Sequence, residues 1–212
     1  MTTPLTLREN EPAGTASLRN RGVLVLLMLL FFLPVVAATL LYLAGWRPAT
    51  GGNHGELIRP ARPVEDQNLL TLDGRPVRFG ELRGKWTMVY LGHSSCPEAC
   101  MKSLYAMRQV HTAQGKERDR VQRVFILADT TALTALKTKL ADYPGMRVWT
   151  GETKALAELA RIFGLREGLA AEPSGIYLVD PLGNLILRYA PGADPTGMLK
   201  DMTRLLKYSW VG

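Results

Sequence analysis

Two cysteines, Cys96 and Cys100, are the only ones in the 212-residue chain, and they share the segment His93-Ser-Ser-Cys96-Pro-Glu-Ala-Cys100. The run before them, Trp86-Thr-Met-Val-Tyr-Leu91, has the β-branched and aromatic composition of a buried strand. After them, Pro97 can open a helix whose apolar positions include Ala99, Leu104, Met107 and Val110. Cys96 is therefore expected at a helix N-terminus, with Cys100 about one turn further on. Free N–H groups and the positive end of the helix dipole favour thiolate there, so the pKa of Cys96 should be lowered. The spacing is one residue wider than the Cys-x-x-Cys of dithiol redox motifs. It lets both sulfurs meet on one soft metal ion or close as a disulfide, and it is also compatible with a static staple.

The elements that must position this pair can be read outward from it. Leu69 to Phe79 carries Asp73-Gly74 between short apolar runs, the signature of a hairpin. Beyond the cysteine helix come a strand at Val124–Ala128, a helix near Ala132–Ala141, a strand at Met146–Trp149 and a helix over Thr153–Phe163. This order implies parallel strands with right-handed crossovers. Gly175–Val179 and Asn184–Tyr189 are joined too tightly for a crossover and should form an antiparallel hairpin, followed by a helix from Pro195 to Lys207. The expected class is α/β, a thioredoxin-like fold with an N-terminal hairpin extension, preceded by one transmembrane helix.

That transmembrane helix is expected over residues 22–45, an uncharged stretch of about 24 residues, long enough for a hydrocarbon core of roughly 30 Å. It exceeds the usual h-region of a cleavable signal peptide, about 7–15 residues. Pro34 in its middle is tolerable in a membrane helix. Residues 1–21 are then expected as a cytoplasmic tail, 46–64 as a Pro/Gly-rich tether, and 65–212 as the thioredoxin-like domain. Arg8, Arg19 and Arg21 precede the span and Arg47, Arg59 and Arg62 follow it, so loop charge alone does not fix the topology. Short arginine-bearing tails favour a cytoplasmic N-terminus. The expected location is the inner (plasma) membrane, with the C-terminal domain in the periplasm or an equivalent outer compartment, where a cysteine pair can cycle.

The formal charge of +7 does not point to nucleic acid, because the basic residues are scattered. The one mixed cluster, Lys116 to Arg123, reads as a solvated loop.

With these elements in place, the chain resembles the Sco/SenC family, membrane-anchored thioredoxin-fold proteins of cytochrome c oxidase assembly. The resemblance rests on Gly84-Lys85-Trp86, Tyr90-x-Gly92, Cys96-Pro97-Glu98-Ala99-Cys100 with Leu104, and Tyr177-Leu-Val-Asp-Pro-Leu-Gly183. It implies Cys96 and Cys100 as catalytic thiols, as metal ligands for Cu(I), or both. The implied partner is the copper-site subunit of cytochrome c oxidase or another assembly factor. In that family a histidine shortly before the Tyr-Leu-Val-Asp strand completes the copper site. Here the stretch is Ala171-Glu-Pro-Ser-Gly-Ile176, without histidine, and the family's Asp-Pro-rich segment shrinks to Ala128-Asp129-Thr-Thr-Ala.

Of the three histidines, His54 and His111 are expected to be ordinary solvated residues, whereas His93 could bond a thiolate or ligate a metal. Glu172 is a hard donor near the gap. Met101 is a soft one, but it should point away from its neighbour Cys100. Pro173 is close to the slot where thioredoxin-like redox enzymes keep a cis-proline that positions a partner chain. Two thiolates without added nitrogen suit Cu(I) rather than Cu(II). Other readings are a non-catalytic scaffold of oxidase assembly with a structural disulfide, and a peroxidase. The peroxidase is disfavoured because His93-Ser-Ser-Cys96 replaces its Thr-x-x-Cys.

Overall fold

The computed structural model describes residues 14–45, 52–165 and 175–209. It divides into two compact units, residues 1–51 and 52–212. The first holds helix α1, Gly14–Leu43. Within it Arg21–Leu43 has a mean hydropathy of 2.9 and no buried side chains. At about 1.5 Å per residue, these 23 residues span roughly 34 Å, enough to cross a bilayer core.

The second unit is built on one eight-stranded sheet. Its strands are β1 (Glu56–Pro63), β2 (Asn68–Thr71), β3 (Pro76–Arg78), β4 (Trp86–Gly92), β5 (Val121–Leu127), β6 (Met146–Thr150), β7 (Ile176–Val179) and β8 (Asn184–Tyr189). The order across the sheet is β1-β8-β7-β4-β5-β6-β2-β3. β4, β5 and β6 run parallel, and every other pairing is antiparallel. Among the described residues, α-helices α2 (Glu98–Ala113), α3 (Leu133–Leu140), α4 (Thr153–Ile162) and α5 (Pro195–Tyr208) accompany them.

β4 is buried along its whole length, as a strand covered on both faces must be. Its side chains alternate between two cores. Met88 and Tyr90 join Leu104, Met107 and Val110 of α2 and Met198, Met202 and Leu206 of α5. Val89 and Leu91 join Phe79, Leu159, Phe163 and Tyr177 on the opposite face, against α4. The sheet is thus a central layer between helices, the thioredoxin-like arrangement expected, with the β2–β3 hairpin as an extension and β7–β8 as the second hairpin.

Two expectations need correction. The segment expected as a tether is, from Glu56 to Pro63, an edge strand paired with β8, with register shifts between Leu57 and Arg62. Its prolines are compatible with an edge, where a missing N–H costs no internal ladder bond. His54, solvent-exposed as expected, is nonetheless anchored. Its N–H and that of Gly55 donate to the buried carboxylate of Asp201 in α5, at 2.8 and 2.9 Å. The second correction concerns the cluster at Lys116–Arg123. Arg123 lies in β5, buried, and donates to the Pro144 carbonyl at 2.6 Å, while Arg120 reaches the Leu206 and Ser209 carbonyls at 3.0 and 2.9 Å. Alternation along β5 turns Arg123 inward, whereas a charge count treats the run as uniform.

Candidate functional site

The site begins where β4 ends. Residues 93–97 turn the chain from Gly92 into α2, and the turn closes through Cys96 N–H donating to the His93 carbonyl at 3.2 Å. Cys96 takes φ +35°, the only positive value among the described non-glycine residues. Such a backbone costs on the order of 1–3 kcal/mol and persists only where surroundings enforce it. Two contacts do so here. Lys139 of α3 donates to the carbonyls of Ser95 and Cys96, 3.0 Å each, and Pro97 caps the helix with extended backbone, its carbonyl accepting from Met101 N–H at 3.0 Å.

The sharp turn folds Cys96 back over the first turn of α2. Cys96 and Cys100, with Cα atoms 5.2 Å apart, are joined as a disulfide, and both are fully buried. No side chain caps the N-terminus of α2. The role of an anionic cap is therefore open to a sulfur when the pair is reduced. Met101 approaches as well, with its Sδ 3.5 Å from Cys96 Sγ. It leans towards Cys96, because helical side chains point to the N-terminus and Cys96 has been folded into that path.

His93 is brought to the mouth of the same loop, with one ring nitrogen bound to Asp129. Its Nδ1 lies 2.6 Å from Asp129 Oδ2, and what it offers Cys96 is its main-chain carbonyl. Asp129 also accepts from the Ser94 hydroxyl, from Thr131 N–H at 3.0 Å and from the Thr131 hydroxyl at 2.7 Å. Burial alone would raise its pKa. The bonds from Ser94, Thr131 and His93 outweigh that and hold the carboxyl well below the usual carboxylate range. Ser94 in turn accepts from Ala132 N–H at 2.9 Å, so the cysteine loop is stitched to the loop after β5.

A cleft of about 460 Å³ opens beside the disulfide, lined by Met101, Tyr105, Tyr143, Ile176, Ala193 and Pro195 among others. Met101 is common to the disulfide's surroundings and to the cleft wall.

The structure thus brings Cys96, Cys100 and Met101 together, with His93 alongside and turned to Asp129. Glu172 and Pro173 lie outside the described residues. Among the described residues no group of three or more His, Cys, Asp or Glu side chains is arranged to hold a metal. His111, expected to be solvated, has its Nε2 3.1 Å from the Val121 carbonyl, and burial beside Arg123 lowers its pKa.

Asp129, Ser94 and Lys139 also belong to the site, although the sequence alone does not place them there. The available signal was Asp129-Thr-Thr directly after a strand that pairs in parallel with β4, which puts both strand ends at one edge.

Comparison with known proteins agrees with this arrangement. Residues 86–209 match the family model "Transmembrane-like, thioredoxin-like, C-terminal domain". The chain is 32% identical over 174 residues to a candidate copper-binding protein of Stutzerimonas stutzeri, covering 80% of this chain and 83% of that one. The solution structure of apo Sco1 from Thermus thermophilus superposes with a TM-score of 0.60 at 24% identity, over 74% of this chain and 99% of its own. ScoI of Bradyrhizobium japonicum, solved with copper bound, gives a TM-score of 0.54 at 24% identity, over 66% and 97%. A thioredoxin-like sheet, a cysteine pair where its central strand meets a helix, and these relatives converge: the chain belongs to the Sco/SenC family.

Proposed function

We propose that this protein is a membrane-anchored, thioredoxin-like factor in cytochrome c oxidase assembly, working through Cys96 and Cys100 in thiol–disulfide exchange, in Cu(I) transfer, or in both. The observation that carries the reading is the cysteine pair itself, closed as a disulfide at an uncapped helix N-terminus. The copper-binding description of the Stutzerimonas relative supports a copper cargo. The apolar helix 21–43 supports the anchor, and a cycling pair suits the oxidising side of the membrane.

In the exchange reaction, the Cys96 thiolate attacks one sulfur of a partner disulfide. The partner's S–S bond breaks, its other sulfur leaves as thiolate, and a mixed disulfide forms. Cys100 thiolate then attacks Cys96 Sγ, releasing the partner's second thiolate. Two electrons have passed to the partner, and Cys96–Cys100 is the new disulfide. A dithiol reductant resets it. As a cargo, Cu(I) takes up both thiolates of the reduced pair, a soft ion on soft donors. Disulfide and copper occupancy therefore exclude each other, which ties loading to redox state.

The full burial of both sulfurs favours a second reading, a scaffold with a permanent staple. The two are separated in cells lacking the chain, by returning the full-length protein or its Cys96→Ser/Cys100→Ser variant at matched membrane levels. Oxidase activity restored by wild type and not by the variant is expected. Equal restoration would leave the scaffold.

A further inference from the structure

We propose that Met101 is the third ligand of the Cu(I) site, giving this chain an all-sulfur centre of two thiolates and one thioether. The inference rests on the copper reading above and deepens it. Three sulfurs bound to one ion at about 2.3 Å in a trigonal plane are spaced about 4 Å apart. Met101 Sδ already stands 3.5 Å from Cys96 Sγ, so one flank of such a triangle exists before any ion arrives. Reduction frees the other cysteine sulfur to move to a comparable spacing.

The histidines each have a ring nitrogen already bonded, and only His93, through its remaining Nε2, lies near enough to the cysteine loop to compete with Met101 as a ligand. His54 Nδ1 lies 3.1 Å from Asp201, His111 is bonded to Val121 at the far end of α2, and the Nδ1 of His93 is held by Asp129. Thioether sulfur is soft and belongs to the donor class that selects Cu(I).

Position suggests what a thioether would add. Met101 is partly buried against the core and also forms part of the cleft wall. It is neutral and binds more weakly than thiolate. An incoming soft donor from a partner, entering by the cleft, would therefore displace Met101 first and leave the two thiolates to hold the ion until it is passed on.

The test uses the full chain in detergent, reduced and free of oxygen, titrated with Cu(I) against a competing chelator. X-ray absorption at the copper edge counts the sulfurs. Met101→Leu keeps the volume and the apolar character, and circular dichroism checks its fold. Wild type is expected to bind one Cu(I) with three sulfur scatterers. Met101→Leu should retain binding with two sulfurs and an affinity lower by about tenfold to a hundredfold, the range that changes around metal ligands produce. Cys96→Ser should lose far more. An unchanged affinity and sulfur count in Met101→Leu would overturn the assignment while leaving the copper reading intact. Failure of wild type to bind Cu(I) more tightly than Cys96→Ser would overturn the copper reading, and Met101 as a ligand with it.

Discussion

At the scale of single residues, the chemistry is concentrated in a loop that is held, not loose. Cys96 keeps φ +35° because Lys139 ties down two carbonyls and Asp129 gathers His93, Ser94 and Thr131. Asp129→Asn exchanges a charge-assisted acceptor for a neutral amide and should cost about 1–2 kcal/mol at pH 7, read by denaturant unfolding. The pH dependence follows from the lowered carboxyl pKa. The contribution of Asp129 is fully present above its unfolded value of about 3.9 and fades as pH falls from there towards the folded value, since the unfolded chain takes up the proton first. The gap between wild type and Asp129→Asn should therefore be constant from pH 7 to 5 and narrow below pH 4; a constant gap at pH 3 would show that charge is not what Asp129 supplies. The cysteines and their surroundings differ in how far sequence reveals them. Cys96, Cys100 and the helix opening at Pro97 are legible, because strand composition and proline placement are local signals. The approach of Met101 to Cys96 is not, because it follows from a positive-φ turn that no helical period encodes.

At the scale of elements, the alternation of strands and helices was enough to obtain the parallel β4, β5 and β6, both hairpins and the final helix within a few residues. β1 was hidden, since Pro60 and Pro63 within Glu56–Pro63 signal a linker, and only pairing with β8 makes them strand. What secures the entry to this strand is one buried carboxylate. Asp201 accepts from His54 N–H, Gly55 N–H and the Tyr189 hydroxyl, the last at 3.1 Å. Removing it leaves these donors, and the His54 ring Nδ1 at 3.1 Å, without their acceptor. Asp201→Ala should lower stability by about 2–3 kcal/mol and raise amide exchange across residues 52–63 more than across β4. Uniform exchange in both would mean that Asp201 stabilises α5 alone. Gly175 at the mouth of β7 is a second constraint: a Cβ there would lie 2.0 Å from the Tyr189 carbonyl oxygen. Gly175→Ala should therefore disturb the β7–β8 hairpin, visible as a lowered melting temperature.

At the scale of the molecule, a helix able to cross a bilayer precedes a domain whose cysteine pair stands at the carboxyl end of its central strand, beside a cleft. The family and fold could be read from the chain because its motifs lie in order along nearly all of it. A third copper ligand could not be read from sequence, because the family's histidine is missing and the proposed alternative, Met101, is set by three-dimensional proximity. The central claim is that Cys96 and Cys100 work and are not merely a staple. Its most direct test is the reduction potential of the pair in the full-length protein, equilibrated in glutathione or dithiothreitol buffers and read by thiol alkylation. An uncapped helix N-terminus stabilises the reduced thiolate and so raises the potential. The expected value lies above about −300 mV, within reach of exchange-active dithiols. A potential well below that, in the range of structural disulfides, would contradict the account.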